Sequence, residues 1–457
     1  MTLQDPRLRP PDSLSAAPRV AGRTFNALPD MYITPVRKTD FEFDVAIVGL
    51  GYVGLPTSLA FHEAGYRVLG LDVSERRLQT IRHQRADLLA GDRERLSRAL
   101  DDSGYELTSD PVQLKRAAAV VIAVPTPVDS YLVPDLGILR QACATVVTSA
   151  VPGQLLILTS TTYVGSTKDM LADPLAARGL LPGTDVHVAF SPERINPGVD
   201  TFSQEEVPRV VGGVTAACGE RAAELLGKYV PNVHVVPTAE AAEMTKLVEN
   251  TFRAVNIALA NEFADICTAL GIQVMDVIDA ADTKPFGFMR FTPGPGVGGH
   301  CIPCDPHYLL WQLRRNRLTA PVIEQAMHGI AARPHQVVDR TRKILSDRDH
   351  GLAGARILVA GVAYKPDVED LRESPALEIL AGLAAEGAIV GYVDPLIGEL
   401  NHEGLELRSV ADPKKFGAHV VIMHTAHSNF ELGWLADVPT VLDTTYRLPL
   451  TANTVRL

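Results

Sequence analysis

The chain has 457 residues, of which 46% are hydrophobic and 21% charged, and its formal net charge is −11. This length allows two or three domains, and the negative charge argues against a general nucleic-acid-binding protein. No apolar run reaches the roughly 18 residues that span a membrane, and the N-terminus lacks a secretory apolar segment. The five cysteines are too sparse for a disulfide framework. We therefore expect a cytoplasmic globular protein with no nucleic-acid or membrane partner.

The first 40 residues are rich in Pro, Arg and Ser and predict a poorly ordered extension. Short apolar runs then alternate with helical stretches, the first of which is a helix over 53–64. This alternation predicts one doubly wound α/β domain over residues 41–235. Its predicted strands are 43–48, 67–71, 117–124, 154–160 and 186–190.

A long helical pattern runs from Glu240 to about Leu270, with Gly271 as its predicted end. A helix of that length, about 45 Å, suits a spine between domains or a dimer interface. The α/β pattern returns after about residue 350. The predicted strands there are 355–364, 389–395, 419–426 and 440–444, with a helix over 374–388. The fold class is therefore α/β, with two doubly wound Rossmann-like domains (41–235 and 341–457) joined by a long-helix central domain (236–340).

A glycine-rich turn directly follows the first predicted strand and opens the first predicted helix. Gly49 permits the tight turn, Gly51 lets a pyrophosphate approach the backbone, and Gly54 allows close packing of helix and strand. Asp72 lies at the end of the second strand, where a carboxylate binds a ribose 2′-hydroxyl and repels a 2′-phosphate. The pattern favours NAD over NADP, although the neighbouring Arg76 could accommodate a phosphate, as could Arg77, and a flavin stays an alternative.

The segment PGPGVGGHCIPCDPHYL, residues 293–309, combines four glycines with Cys301. A cysteine on such a loop, in a protein with an NAD site, predicts covalent oxidation of an aldehyde. A lone cysteine is more often a small buried hydrophobic residue, and Asp305 four positions on favours the catalytic interpretation. The spacing of Cys301 and Cys304 also permits a zinc site or a regulatory disulfide. No second ligand pair accompanies them, so we predict no metal site.

Seven motifs follow one another along the chain: VAIVGLGYVGLP, VIAVPTPVD, TSTTYVGST, SPERINPG, EMTKLVENTF, PGPGVGGHCIPCDP and GVAYKPDVEDLRESP. In these motifs, over roughly residues 43–450, the chain resembles the UDP-glucose/GDP-mannose dehydrogenase family. The segment TKPFGFM ahead of the cysteine loop looks most like the UDP-N-acetylglucosamine 6-dehydrogenases. The resemblance implies polysaccharide biosynthesis, and the long apolar helix predicts a homodimer or a higher homo-oligomer.

The resemblance also implies roles for individual residues. Cys301 would be the nucleophile, with Lys246 and Asn250 holding the developing oxyanion near the sugar C6. Asp305, paired with Lys246, would help to deprotonate the sugar hydroxyl through a water that Thr161 positions. The other implied roles are acid/base chemistry for Glu193, cofactor contacts for Val53, Thr126 and Arg372, and substrate contacts for Arg194, Lys246, Asn250, Gly298 and Lys365.

The expected reaction is the NAD-dependent four-electron oxidation of a UDP-sugar at C6, with UDP-N-acetylglucosamine as the first expectation. UDP-N-acetylmannosamine and UDP-glucose are alternatives, because several residues around the sugar pocket depart from the family pattern. These are Arg290, Cys304, His307, Thr445 and Arg447. Two other classes stay open: a simple NAD alcohol dehydrogenase that needs no Cys301, and a non-catalytic dinucleotide-binding protein.

Overall fold

The computed structural model describes residues 41–457 except for residue 89, residues 195–205 and residue 300. The predicted N-terminal extension therefore lies outside the described residues. Among the described residues, no helix is both long enough and apolar enough to cross a bilayer.

Within the described part of the chain, eight strands form the first sheet, in the order β3-β2-β1-β4-β5-β6-β7-β8. Their bounds are β1 Phe43–Val48, β2 Val68–Leu71, β3 Tyr105–Thr108, β4 Ala117–Ile122, β5 Leu155–Leu158, β6 His187–Phe190, β7 Arg209–Gly213 and β8 Val233–Val236. The helices between them are α1 Gly54–Glu63, α2 Glu75–Arg82, α3 Ala90–Leu100, α4 Gly137–Ser149, α5 Asp173–Ala177 and α6 Ala216–Leu226.

The first sheet is buried on both faces, which explains its nearly continuous apolar strands. In β1, Ala46 and Val48 belong to one hydrophobic core and Val45 and Ile47 to the other. The strand order reverses between β1 and β4, and ligands of open α/β sheets bind at the carboxyl ends of strands at such a point. β7 runs antiparallel to β6, so the sheet is not wholly parallel.

In the middle of the chain, the described residues form the helices α7 Ala239–Leu270, α8 Val274–Asp282, α9 Asp305–Arg315 and α10 Pro321–Ser346. The predicted long helix is confirmed as the 32-residue α7, and Gly271 ends it in the left-handed conformation, with a φ of 71°. Its hydroxyl-bearing N-cap, Thr238, accepts a hydrogen bond from the backbone N–H of Ala241 at 3.1 Å.

A second parallel sheet has the order β10-β9-β13-β14-β15, and a separate hairpin pairs β11 with β12. The bounds are β9 Arg356–Ala360, β10 Ile389–Val393, β11 Glu399–His402, β12 Leu405–Arg408, β13 Val420–Met423, β14 Val441–Asp443 and β15 Thr454–Arg456, with helices α11 Pro375–Ala385 and α12 Pro413–Phe416. The prediction of a strand over 355–364 was too long. β9 ends at Ala360 because Gly361 turns the chain with a φ of +77°.

Glu243 ties α7 to the loop after β5 and is only 1% exposed. Its carboxylate accepts hydrogen bonds from the N–H of Gly165 at 2.5 Å, from the Ser166 hydroxyl at 2.9 Å, and from the N–H and hydroxyl of Thr167 at 2.8 and 2.7 Å. We expect Glu243→Ala to lower the free energy of unfolding by about 3–5 kcal/mol, because it leaves four buried donors without an acceptor. Urea denaturation measures this effect. Glu220→Ala, at an exposed position on α6, should change it by less than about 0.5 kcal/mol.

Candidate active site

The turn between β1 and α1 leaves no room for side chains at two of its glycines. Gly49 has a φ of +90°, and a Cβ atom there would lie 2.6 Å from the carbonyl oxygen of Ala123. A Cβ atom on Gly54 would lie 1.8 Å from the carbonyl oxygen of Gly49. Gly51 instead has open space beside it, and with Val53 it lines a large cavity. The helix start therefore offers bare backbone to a pyrophosphate.

Asp72 is held beside this turn by the backbone. Its Oδ2 accepts a hydrogen bond from the N–H of Leu50 and its Oδ1 from the N–H of Ser74, each at 2.9 Å. Arg77, the possible phosphate contact, instead donates from Nε to the carbonyl oxygen of Leu50 at 2.8 Å. Thr126 is buried in the wall of the same cavity. These residues fit NAD, with a carboxylate fixed where it would meet the ribose and oppose a 2′-phosphate.

Lys246 and Asn250 lie one turn apart on α7 and both line the cavity. The Lys246 Nζ donates a 2.8 Å hydrogen bond to the backbone carbonyl oxygen of Glu193. The Asn250 Nδ2 donates to the Oδ2 of Asp305. Lys246 therefore acts on the Asp305 carboxylate through its charge, and Asn250 donates a hydrogen bond to that carboxylate.

Asp305 is the first residue of α9 and only 3% exposed. Burial raises the pKa of its carboxyl to about 6, against the opposing effects of the Lys246 charge and of hydrogen bonds with Asn250 and Thr161. Its backbone N–H donates a 2.8 Å hydrogen bond to the carbonyl oxygen of Cys301. A carboxyl group with a pKa close to neutrality is suited to accept and release protons, and here it lies one helical turn from the candidate nucleophile.

The glycine loop that precedes Cys301 is docked on the segment between β9 and α11. The Gly299 N–H donates a 3.0 Å hydrogen bond to the carbonyl oxygen of Arg372, and the φ of Gly299 is +81°. A Cβ atom on Gly298 would lie 2.6 Å from the carbonyl oxygen of Glu373 and 2.7 Å from the Cβ of Tyr364. Contact with the backbone of the C-terminal part of the chain therefore fixes the position of the loop.

We expect Gly298→Ala to lower kcat/KM by roughly 100-fold, because a methyl group at this position displaces the loop that carries Cys301. Steady-state kinetics measures the loss, and the melting temperature should change by only a few degrees. Gly294→Ala is the matched control in the same loop, since the nearest atom to its added methyl lies 4.0 Å away. Equal activity of the two variants would contradict the tight docking of the loop.

The Cys301 side chain is exposed to the cavity, while Cys304 is buried. Desolvation by the surrounding protein is the main cause of a raised pKa of the Cys301 thiol, and the charge of Asp305 adds to it. The cations Lys246, Arg372 and Lys365 act in the opposite direction. Cys301 is therefore an accessible thiol whose deprotonation is favoured by three cations and disfavoured by a carboxylate, so the protonation of Asp305 influences its reactivity.

Two further predicted residues are anchored by ion pairs at the edge of the cavity. The Glu193 Oε1 accepts a 2.6 Å hydrogen bond from the Arg209 Nη1, and both side chains are largely buried. Arg194 pairs with Glu249 on α7 and donates a 2.9 Å hydrogen bond to the carbonyl oxygen of Pro208. The Glu193 carboxylate is thus held in place at the cavity by the Arg209 cation.

The C-terminal part of the chain contributes Lys365 and Arg372 to the cavity. The Lys365 Nζ lies 5.4 Å from the ring centroid of Tyr364, and burial lowers the pKa of this lysine. Arg372 is held by Asp370 at 2.6 Å, and its guanidinium lies 5.3 Å from the ring centroid of Tyr52. Arg372 therefore reaches the glycine turn after β1, where a cofactor phosphate would lie.

One cavity of about 1130 Å³ brings most of the predicted site together. This exceeds the roughly 300–1,000 Å³ of a typical small-molecule site and leaves room for two ligands. The predicted residues that line it are Gly51, Val53, Thr126, Thr161, Glu193, Arg194, Lys246, Asn250, Gly298, Cys301, Asp305, Lys365 and Arg372. Gly49, Gly54 and Asp72 are not among the lining residues and belong to the supporting turn and strand.

Sequence reasoning missed Arg253 and Tyr364, which also line the cavity. Arg253 lies three positions beyond Asn250 on α7, so helical spacing could have found it. Tyr364 precedes Lys365 and forms the surface on which the glycine loop packs. Of the residues that depart from the family pattern, Arg290, Thr445 and Arg447 line the cavity as well.

The zinc and disulfide alternatives find no support in the described part of the chain. There, no group of three or more His, Cys, Asp or Glu residues could hold a metal ion, although His300 lies outside it. All five cysteines, including Cys301 and Cys304, are free.

Family models cover the chain in three consecutive parts. Residues 43–230 match the NAD binding domain of the UDP-glucose/GDP-mannose dehydrogenase family, residues 240–329 its central domain and residues 358–448 its UDP binding domain. These parts follow the order of the first sheet, the long helices and the second sheet.

Individual relatives match over nearly their whole length. The chain is 34% identical to UDP-N-acetyl-D-mannosamine dehydrogenase of Escherichia coli (strain K12), over 85% of this chain and 94% of the relative. It is also 34% identical to NDP-N-acetyl-D-galactosaminuronic acid dehydrogenase of Ralstonia solanacearum, over 86% and 93%. The solved UDP-D-ManNAc dehydrogenase of Pyrococcus horikoshii is 30% identical with a TM-score of 0.83, covering 90% of this chain and 98% of that structure. The chain therefore belongs to the UDP-glucose/GDP-mannose dehydrogenase family and is an NAD-dependent nucleotide-sugar dehydrogenase.

Proposed function

We propose that this enzyme oxidises the C6 hydroxymethyl group of a UDP-2-acetamidohexose to a carboxylate, with UDP-N-acetylmannosamine as the first candidate. The observation that carries the reaction is the meeting of the exposed thiol of Cys301 with buried Asp305 and with half-buried Asn250 and Lys246 in one cavity. The substrate rests on the names of the relatives. Two are named for N-acetylmannosamine and one for N-acetylgalactosaminuronic acid, so they favour the mannosamine alternative over the N-acetylglucosamine of our first expectation.

In the first oxidation the C6 alcohol becomes an aldehyde. When bound, NAD accepts two electrons and one hydrogen from C6 in each of the two oxidations. Asp305 takes the hydroxyl proton through a water that Thr161 orients, a role for which a pKa of about 6 is suited. Lys246 and Asn250 stabilise the negative charge that develops on the C6 oxygen.

In the second oxidation the sugar is covalently attached to the enzyme. The Cys301 thiolate forms a C–S bond to the aldehyde carbon, which gives a thiohemiacetal, and its oxidation gives a thioester. Water, activated by Glu193, then breaks the C–S bond, which releases the carboxylate and returns the thiol. The covalent bond retains the sugar while the reduced cofactor leaves and a second NAD enters.

The exposed face of α7 supports a homodimer as part of this proposal. Large apolar side chains on this face are between 44% and 67% exposed. They are Val248, Phe252, Leu259, Phe263, Ile266 and Leu270. Isolated apolar residues are normal on a surface, whereas a stripe along one helix is typical of an interface. Sedimentation equilibrium should give at least twice the 49.3 kDa of one chain, and a monomer at micromolar concentration would contradict this part.

A panel of sugar nucleotides tests the substrate assignment. The full-length enzyme is assayed with NAD and UDP-N-acetylmannosamine, UDP-N-acetylglucosamine, UDP-N-acetylgalactosamine or UDP-glucose. We expect kcat/KM to be highest for UDP-N-acetylmannosamine, by about 100-fold or more over UDP-glucose, since a pocket built for the acetamido group leaves polar groups unpaired without it. A preference for UDP-glucose would overturn the 2-acetamido proposal, and a preference for another 2-acetamido sugar would overturn the mannosamine assignment.

A further inference from the structure

A second cavity, of about 970 Å³, shares no lining residue with the active-site cavity. It lies between the loop after β5, the first turn of α4 and the C-terminal end of α9. Arg140, Arg314 and Arg315 line it together with the aromatic side chains of Tyr163 and Trp311. None of these residues has a role in the proposed reaction.

The cavity carries an excess of positive charge, and the side chains of its three arginines are exposed. Among the described residues, the guanidinium groups of Arg140, Arg314 and Arg315 make no hydrogen bond or ion pair. The one carboxylate among the described lining residues, Asp169, accepts a 2.9 Å hydrogen bond from the Tyr163 hydroxyl. Three cations against one carboxylate leave an excess of two positive charges, in a chain whose net charge is −11.

Guanidinium groups without protein partners are strong ligands for phosphate. The half-buried rings of Tyr163 and Trp311, with centroids 5.7 Å apart at an interplanar angle of 61°, offer aromatic faces and edges to a nucleobase. We propose that this cavity is a regulatory site for a nucleoside diphosphate group, separate from the active site. Such a group occurs both in UDP and its sugars and in NAD.

The position of the cavity links it to catalysis. Tyr163 and Val164 follow Thr161 in the chain, and the Gln312 side chain bonds to both the N–H and the carbonyl oxygen of Val164, at 3.0 and 2.7 Å. Gln312 lies on α9, which begins at Asp305. A ligand in this cavity therefore contacts both the segment that carries Thr161 and the helix that begins at Asp305. Its binding changes the rate of the oxidation by moving Thr161 relative to Asp305.

Tryptophan fluorescence tests the site without requiring turnover, so its outcome is separate from that of the proposed function. The chain has two tryptophans, and Trp434→Phe leaves Trp311 as the reporter. The full-length variant is titrated with UDP, NAD and inorganic pyrophosphate. We expect saturable changes in emission with UDP or NAD. The nucleotide that binds more tightly identifies which of the two molecules supplies the nucleoside diphosphate group. Pyrophosphate should bind more weakly because it has no base. No change with millimolar UDP and NAD would overturn the proposal.

Charge variants in the same background assign the signal to this cavity. Arg140→Ala/Arg315→Ala should weaken the binding seen by Trp311 by about tenfold or more. The matched control Arg93→Ala/Lys343→Ala removes two exposed cations that line neither cavity, and it should leave the binding unchanged. Equal affinities in the two variants would refute the site.

Inhibition kinetics test whether the cavity is coupled to catalysis. Under turnover, saturating sugar should not fully relieve inhibition by UDP unless Arg140 and Arg315 are replaced. Purely competitive inhibition of the unaltered enzyme would refute the coupling.

Discussion

Replacing Cys301 by Ala is expected to abolish formation of the uronic acid, with a loss of roughly 1,000-fold or more in its rate. Without the thiol, no C–S bond forms with the C6 aldehyde, so the thioester that water hydrolyses is never made. Oxidation of the alcohol does not need the thiol, so the variant should give at most one NADH per sugar. Anion-exchange chromatography of the nucleotide products measures uronate and aldehyde directly.

Cys304→Ala is the matched control, because Cys304 lies three residues away and is buried rather than exposed to the cavity. This variant should make uronate at a rate within a few-fold of the wild type, since filling the site with a smaller side chain leaves the Cys301 thiol in place. Formation of uronate at the wild-type rate by Cys301→Ala would refute the covalent role of Cys301 and show that another nucleophile, or water added to the aldehyde, serves the second oxidation.

Replacing Asp305 by Asn is expected to lower kcat by roughly 10²–10⁴-fold, the usual contribution of a general base, while the fold becomes more stable above pH 6. The pKa of Asp305 is raised to about 6 by burial, from a reference value of 3.8. The folded state therefore binds a proton more tightly than the unfolded state, and the wild type loses stability as the pH rises from about 4 to about 6. Over this pH range the free energy of unfolding falls by about 3 kcal/mol, since each pKa unit corresponds to about 1.36 kcal/mol.

The amide of Asn resembles the neutral carboxylic acid, so Asp305→Asn does not incur this loss. Its melting temperature should exceed that of the wild type at pH 8, and the difference should vanish near pH 4. The kcat of the wild type should rise as the pH passes through about 6, and the kcat of the variant should not show this rise. Asp276→Asn, at an exposed position on α8, should match the wild type in both measurements. A lower melting temperature of Asp305→Asn at pH 8 would contradict the inferred burial cost.

Features that depend on residues close together in the sequence were predictable. The first predicted strand coincides with β1, because an apolar run ending in Gly49 leaves little freedom for its bounds. The long helix and its end at Gly271 follow from periodicity and from the one residue type that enters the left-handed region without strain. Both α/β regions were predicted because short apolar runs alternate with helical stretches along the sequence.

Features that depend on distant residues were not predictable. The antiparallel pairing of β6 with β7 joins Phe190 to Gly212, and no local pattern specifies strand direction. The bond between Lys246 and the carbonyl oxygen of Glu193 spans 53 residues. The burial that raises the pKa of Asp305 comes from the surrounding elements of the fold, while the sequence shows only a carboxylate near a cysteine.

The proposed reaction is a four-electron oxidation of one sugar on one thiol, and the most direct test counts the electrons. A limiting, known amount of UDP-N-acetylmannosamine is converted to completion by the full-length enzyme with excess NAD, and NADH is measured by its absorbance. We expect two NADH for each sugar, with no aldehyde in solution when the reaction is stopped halfway. One NADH for each sugar, with an aldehyde product, would contradict it.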